Sequence, residues 1–92
     1  MATLKELIAK GATVIDVRSS WEFADGHVEN ALNIPLEEIP MRIDEIKDLS
    51  IPFILYCRSG NRSGMACGIL QQFGIPEVHN GGGLADMQIA LM

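Results

Sequence analysis

In the middle of the chain, Pro52 is followed by five residues that carry no charge, Phe53-Ile54-Leu55-Tyr56-Cys57. A continuous apolar run of this length is typical of a strand that is buried on both faces, as in parallel sheets that helices cover from either side. The run therefore predicts a central strand in an α/β fold.

Helix-like and strand-like segments alternate along the rest of the chain. Thr3 and Glu6 have capping-box spacing, which predicts an amphipathic helix over residues 1–10 that stops at Gly11. Further strands are predicted at 13–17, 31–34 and 77–79, and further helical segments at 19–23, 36–48 with a break at Pro40, 63–74 and 84–91. Residues 81–83 are all glycine and predict a flexible turn. We expect one domain over residues 1–92, with a mainly parallel sheet flanked by helices on both faces.

Charge and hydropathy exclude several classes of function. The formal net charge is -5, so a basic face for nucleic acid is not expected. No apolar run reaches the length of about 18 residues that a membrane span needs. The N-terminus has no pattern of a signal peptide, so we expect a cytoplasmic protein, or a periplasmic one if a signal peptide has been removed. We also expect a monomer.

The segment after the apolar run carries the chemical signal. Cys57 ends the predicted strand, and the polar loop Arg58-Ser59-Gly60-Asn61-Arg62 leads into a helix that begins at Ser63. Ligands of open α/β sheets bind at the carboxyl ends of strands, where loop N–H groups and a helix N-terminus can point at the sulfur. With two arginines nearby, these groups favour the thiolate and lower the pKa of the cysteine. The loop therefore predicts a nucleophilic cysteine in an anion cradle.

The segment from Cys57 to Ser63 resembles the active-site loop of the rhodanese family. Four other segments resemble family motifs in the same order, and the resemblance covers roughly residues 3 to 88. These segments are 14–18, then 22–35 with Glu22-Phe23, Gly26-His27-Val28 and Ala31-Leu32-Asn33-Ile34-Pro35, then 53–56, and finally Gly82-Gly83. Among subfamilies, the chain looks most like the small bacterial phage-shock-type thiosulfate sulfurtransferases. It departs from many rhodaneses at Met87, where they carry a tryptophan, and this puts local packing in question more than chemistry.

The resemblance implies a covalent, two-stage reaction. Cys57 would take the outer sulfur of a donor such as thiosulfate, release sulfite, and pass the sulfur from a persulfide to a thiol or cyanide. The residues Arg58, Ser59, Gly60, Asn61, Arg62 and Ser63 would form the loop that binds the donor and the persulfide. No cofactor is implied. The partners would be the small sulfur donor and its acceptor, with an acceptor protein as a further candidate.

The remaining polar residues have supporting or structural interpretations. Asp16 and Arg18 flank the end of a predicted strand and are expected to brace the loops around the site. His27 and His79 are expected to be structural, and Cys67 is expected to be a small core residue rather than a resolving cysteine. The two histidines and two cysteines lack zinc spacing, so no metal site is predicted.

Two alternatives remain at this stage. Cysteine-based phosphatases and arsenate reductases also hold an anion in a loop after a cysteine, but their arginine follows after five intervening residues, whereas Arg62 follows Cys57 after four. The other alternative is a sulfur-carrier or binding module that keeps Cys57 but turns over poorly.

Overall fold

Four parallel strands form the sheet of the computed structural model, which describes residues 3–92. The strands are β1 (Thr13–Asp16), β2 (Leu32–Asn33), β3 (Phe53–Cys57) and β4 (Val78–Gly83). The helices are α1 (Leu4–Ala9), α2 (Ser20–Ala24), a 3-10 helix (Leu36–Met41), α3 (Ile43–Lys47), α4 (Asn61–Gln72) and α5 (Leu84–Ala90). The predicted α/β class is therefore confirmed. No helix over residues 3–92 combines the length and the apolar character needed to cross a membrane.

The sheet has the order β2-β1-β3-β4, so β3 lies between two partners. β1 pairs with β3 from Thr13↔Phe53 to Asp16↔Tyr56. The pairing of β3 with β4 is interrupted, because Leu55 faces Asn80 whereas Tyr56 faces Gly82. One residue of β4, Gly81, is thus left over, which is the signature of a β-bulge.

Side chains of β3 alternate between two separate cores, one on each face of the sheet. Phe53, Leu55 and Cys57 belong to a core with residues of the 3-10 helix, α3 and α4. Ile54 and Tyr56 belong to the other core, against which α1, α2 and α5 pack. Both faces of the strand are therefore covered, which explains why the run is apolar throughout. Full burial of each large side chain contributes about 1.5–3 kcal/mol to folding.

Local signals placed several element boundaries correctly. Thr3 caps α1, because its hydroxyl accepts from the Glu6 N–H at 3.1 Å while the Glu6 carboxylate accepts from the Thr3 N–H. Residues 1 and 2 of this predicted helix lie outside the described residues. Pro40 lies in the 3-10 helix, which ends before α3, so the predicted break is also confirmed.

Two predictions about glycine-rich and polar segments were wrong. Helix α4 begins at Asn61, two residues before the predicted start, because Gly60 adopts a left-handed conformation (φ 100°) that turns the chain directly into the helix. The last strand runs to Gly83, so residues 81–83 are not a flexible turn. The strand needs glycine at these positions, because a Cβ atom on Gly81 would collide with Met87, and Gly82 and Gly83 are similarly crowded.

Candidate functional site

Cys57 is the last residue of β3, and only the turn Arg58-Ser59-Gly60 separates it from α4. The residue is buried, with 1% of its surface exposed, and its side chain belongs to the core on the α4 side of the sheet. A cysteine at the carboxyl end of a central parallel strand, in front of a helix N-terminus, lies where α/β folds bind anions.

Hydrogen-bond donors converge on the sulfur. The Gly60 N–H donates to Cys57 Sγ at 3.0 Å, and the Ser63 hydroxyl oxygen lies 3.4 Å from the same atom. Burial by itself raises the pKa of Cys57, but donation from the Ser63 hydroxyl and from the backbone N–H groups of Ser63, Ser59 and Gly60 outweighs it and brings the pKa to about 7. The thiolate is therefore well populated near neutral pH, where it is the nucleophilic form.

The sequence predicted that Arg62 lies in the loop. In the structure it lies in the first turn of α4. Its guanidinium donates to both carboxylate oxygens of Glu22, at 2.8 and 3.0 Å. The Glu22 carboxylate also accepts from the N–H and the hydroxyl of Ser19 at the start of α2. Because Arg62 pairs with Glu22, hydrogen bonds rather than arginine charge are the main cause of the lowered pKa of Cys57.

The other predicted loop residues are exposed. Ser59 and Asn61 lie at the surface, and Arg58 forms no ion pair with any residue from 3 to 92. The Arg58 side chain lines a cleft of about 530 Å³, together with Arg18, Glu22 and residues of α5. Arg58 thus brings a positive charge from the nucleophile turn into this cleft, which Asp25 also lines.

Asp16 and Arg18 form a buried ion pair at the carboxyl end of β1. The Arg18 side chain donates to both Asp16 oxygens, with a shortest distance of 2.7 Å, and also donates to the Gly26 carbonyl oxygen at 2.6 Å. Its guanidinium lies 5.7 Å from the centre of the Tyr56 ring. These contacts tie β1 to the loop after α2 and to the strand that ends in Cys57, which supports the predicted bracing role.

The end of β4, which carries the Gly82-Gly83 motif, forms one wall of the site. A Cβ atom on Gly83 would collide with the Arg58 carbonyl oxygen, and one on Gly82 would meet the Asp86 side chain. The Asp86 carboxylate accepts from the Gly83 N–H at 2.8 Å. The resemblance pointed to Gly82-Gly83, and the structure gives the reason, because only glycine lets β4 approach the nucleophile turn this closely.

Asn80, also on β4, contacts the two elements that hold the sulfur. Its side-chain N–H donates to the Gly60 carbonyl oxygen at 3.0 Å. Its side-chain oxygen lies 2.7 Å from the Ser63 hydroxyl and accepts from the Gly82 N–H at 3.0 Å. No local sequence signal marks Asn80, because these partners are up to twenty residues away.

The remaining candidate residues lie apart from the sulfur or inside the cores. Cys67 is a free, buried thiol on α4, and burial raises its pKa to about 11. The His27 ring stacks on Phe23, with 3.6 Å between centroids. His79 is exposed on β4. Met87 is fully buried in the core that contains Tyr56, so it fills the packing position for which the sequence raised a question.

Comparison with known proteins assigns the family. A model of the rhodanese-like domain matches residues 1–88 of the chain. The chain belongs to the rhodanese family. This rhodanese is 40% identical over 74 residues to the thiosulfate sulfurtransferase PspE of Escherichia coli (strain K12), a match that covers 79% of this chain and 71% of the relative. It is 43% identical over 68 residues to a sulfurtransferase of Allochromatium vinosum, covering 73% of this chain and 62% of that one.

A solved structure has the same fold. A rhodanese with anions from E. coli superposes with a TM-score of 0.74 and 39% identity, covering 82% of this chain and 89% of that one. The resemblance stated from the motifs is thus confirmed, including the likeness to a phage-shock-type protein. The chain belongs to a family of sulfurtransferases, which are transferase enzymes.

Proposed function

We propose that this rhodanese transfers sulfane sulfur from thiosulfate, or from a related small donor, to a thiol or cyanide through a persulfide on Cys57. The observation that carries the proposal is the cradle of N–H and O–H donors around a buried sulfur whose pKa is about 7. Two relatives that are named as sulfurtransferases, one of them for thiosulfate, support the same reaction class.

In the first half of the reaction, the Cys57 thiolate attacks the outer sulfur of thiosulfate. A new S–S bond forms while the bond between the outer sulfur and the sulfonate breaks, and sulfite leaves with the electron pair. The negative charge then rests on the terminal sulfur of the persulfide. The donors around Sγ lie one S–S bond away from this terminal sulfur, and we expect them to stabilise its charge as well.

In the second half, an acceptor attacks the terminal sulfur of the persulfide. Cyanide leaves as thiocyanate, or a thiol leaves as a new persulfide, and the electron pair of the broken S–S bond returns to Cys57. No group other than the donor and acceptor is consumed. Arg58, the first residue of the turn, forms no ion pair within residues 3–92 and is suited to attract the anionic donor, and a rhodanese with anions is among the similar structures.

Two features favour a sulfur donor over a phosphate ester. Only 1% of Cys57 is exposed, so a substrate has to present a small terminal atom to it. The guanidinium that a phosphatase would need in the cradle is paired with Glu22 instead. We therefore expect no useful turnover of aryl phosphates.

The test compares the natural chain with Cys57→Ser and with Cys67→Ala as the matched cysteine control. Incubation with thiosulfate should add the mass of one sulfur atom to the natural chain and to Cys67→Ala, but not to Cys57→Ser. Steady-state assays with thiosulfate and cyanide should show turnover for the natural chain and Cys67→Ala, but not for Cys57→Ser. Sulfur uptake by Cys57→Ser, or hydrolysis of an aryl phosphate that depends on Cys57, would refute the proposal.

A further inference from the structure

Two donors to the Cys57 sulfur share a single neighbour, the side-chain amide of Asn80. The Gly60 N–H and the Ser63 hydroxyl both reach the sulfur, and Asn80 contacts the carbonyl of the first residue and the hydroxyl of the second. The amide orientation is set, because its oxygen accepts from the Gly82 N–H while its N–H donates to Gly60.

The Ser63 hydroxyl has one proton and two neighbouring acceptors. Its oxygen lies 2.7 Å from the Asn80 side-chain oxygen and 3.4 Å from Cys57 Sγ, so the two acceptors are at most about 6 Å apart. While the hydroxyl donates a hydrogen bond to Asn80, its lone pairs can accept a hydrogen bond from a neutral thiol. When the sulfur is ionised, rotation of the hydroxyl lets it donate a hydrogen bond to the sulfur instead. Ser63 can thus serve both states of Cys57 because Asn80 supplies the second acceptor.

We propose that Asn80 is a positioning residue for the nucleophile, which clamps Gly60 against the sulfur and directs the proton of the Ser63 hydroxyl. The proposal rests on the proposed function only in taking Cys57 as the reactive thiol. Asn80 does not touch the sulfur itself and acts through Gly60 and Ser63.

Charged groups near the site do not replace Asn80 in this role. Around the turn, Asp16 pairs with Arg18, and Glu22 pairs with Arg62. Asp86 accepts from the Gly83 N–H, and Arg58 forms no ion pair within residues 3–92. Among the residues the structure describes, none of these side chains hydrogen-bonds Asn80. The ionisation of Cys57 therefore responds to Asn80 through neutral hydrogen bonds.

The sharpest perturbation is Asn80→Asp, which keeps the shape of the side chain. A carboxylate cannot donate to the Gly60 carbonyl, it draws the Ser63 hydroxyl away from the sulfur, and it adds a negative charge nearby. All three effects disfavour the thiolate, so the apparent pKa of Cys57 should rise by about one unit or more. At pH values below both pKas, the alkylation rate of Cys57 should then fall about tenfold.

The readout is the pH dependence of iodoacetamide alkylation, measured in a Cys67→Ala background so that Cys57 is the only thiol. His79→Asp controls for an added negative charge on β4, because its side chain is also exposed but lies on the opposite face of the strand. We expect a large shift for Asn80→Asp, a much smaller one for His79→Asp, and a reduced effect of Asn80→Asp when Ser63 is replaced by Ala. Equal shifts for the two Asp variants, an unchanged pKa, or the same shift with and without the Ser63 hydroxyl would overturn the proposal.

A second measurement uses the natural sequence at position 80 and so does not depend on how the variant folds. The side-chain amide resonances of Asn80, followed by NMR, should titrate together with the Cys57 thiol, and this titration should weaken in Ser63→Ala, where only the contact through Gly60 remains. An Asn80 amide that does not respond to ionisation of Cys57 would contradict the proposal. Alkylation and NMR report the ionisation of Cys57 and not sulfur transfer. A chain that failed to transfer sulfur would therefore refute the proposed function without deciding whether Asn80 positions the nucleophile.

Discussion

The two cysteines should give the rhodanese a stability maximum in mildly alkaline solution, with Cys57 responsible for the rise and Cys67 for the fall. The pKa of Cys57 is lowered from 9.0 to about 7, and that of Cys67 is raised from 9.0 to about 11. Both residues are buried, so solvent does not screen these shifts away.

The sign of each contribution follows from which state binds the proton. Between pH 7 and 9 the unfolded chain keeps the Cys57 proton that the folded chain has lost, so the free energy of unfolding rises with pH. Between pH 9 and 11 the folded chain keeps the Cys67 proton that the unfolded chain has lost, so the free energy of unfolding falls. Each two-unit shift corresponds to about 3 kcal/mol, a large part of the ~5–15 kcal/mol that stabilises a typical domain.

The measurement is urea unfolding across this pH range for the natural chain, Cys57→Ser and Cys67→Ala. Cys57→Ser should lose the rise between pH 7 and 9, and Cys67→Ala should lose the fall between pH 9 and 11. Tyr56, whose burial raises its pKa from 10.0 to about 12, should add a decline from pH 10 upward that both variants retain, so the effect of Cys67→Ala is read most cleanly between pH 9 and 10. If Cys57→Ser kept the rise, the reasoning that its hydrogen bonds lower the thiol pKa would be refuted.

Three further substitutions test the walls of the site. Gly83→Ala should destabilise the fold by about 1–3 kcal/mol and impair transfer, since its Cβ collides with the nucleophile turn; unchanged urea unfolding and kinetics would contradict this. Glu22→Gln should lower KM for thiosulfate, because the Arg62 charge is no longer neutralised by a carboxylate and can attract the anionic donor. An unchanged KM would show that Arg62 does not contribute to donor binding. Asp16→Asn should cost about 3–5 kcal/mol in urea unfolding, since it leaves the Arg18 charge buried without its partner; a cost below about 1 kcal/mol would refute the role of this ion pair.

Elements specified by local chemistry were predictable from the sequence. The bounds of β3 follow from its apolar run between Pro52 and Arg58, and the start of α1 follows from the capping box of Thr3. Cys57 was recognisable because the strand before it and the polar turn after it are both local patterns.

Features that depend on contacts between distant segments were not predictable. Three glycines in a row have low strand propensity, yet β4 includes them, with Gly82 and Gly83 against the turn after Cys57 and Gly81 against Met87 and Ile54. The pairing of Arg62 with Glu22 had no local signal either, because the two residues are forty positions apart. Asn80 could not be singled out from the sequence, because its partners Ser63 and Gly60 lie 17 and 20 positions away along the chain.

The two outer strands of the sheet bear on how the molecule avoids pairing with copies of itself. At one edge, β2 has only two residues, which is too short to template a ladder with another chain. At the other edge, the bulge at Gly81 breaks the regular spacing of β4 midway along its length. The irregularity that follows Asn80 in β4 thus makes this edge a poor surface for β-aggregation.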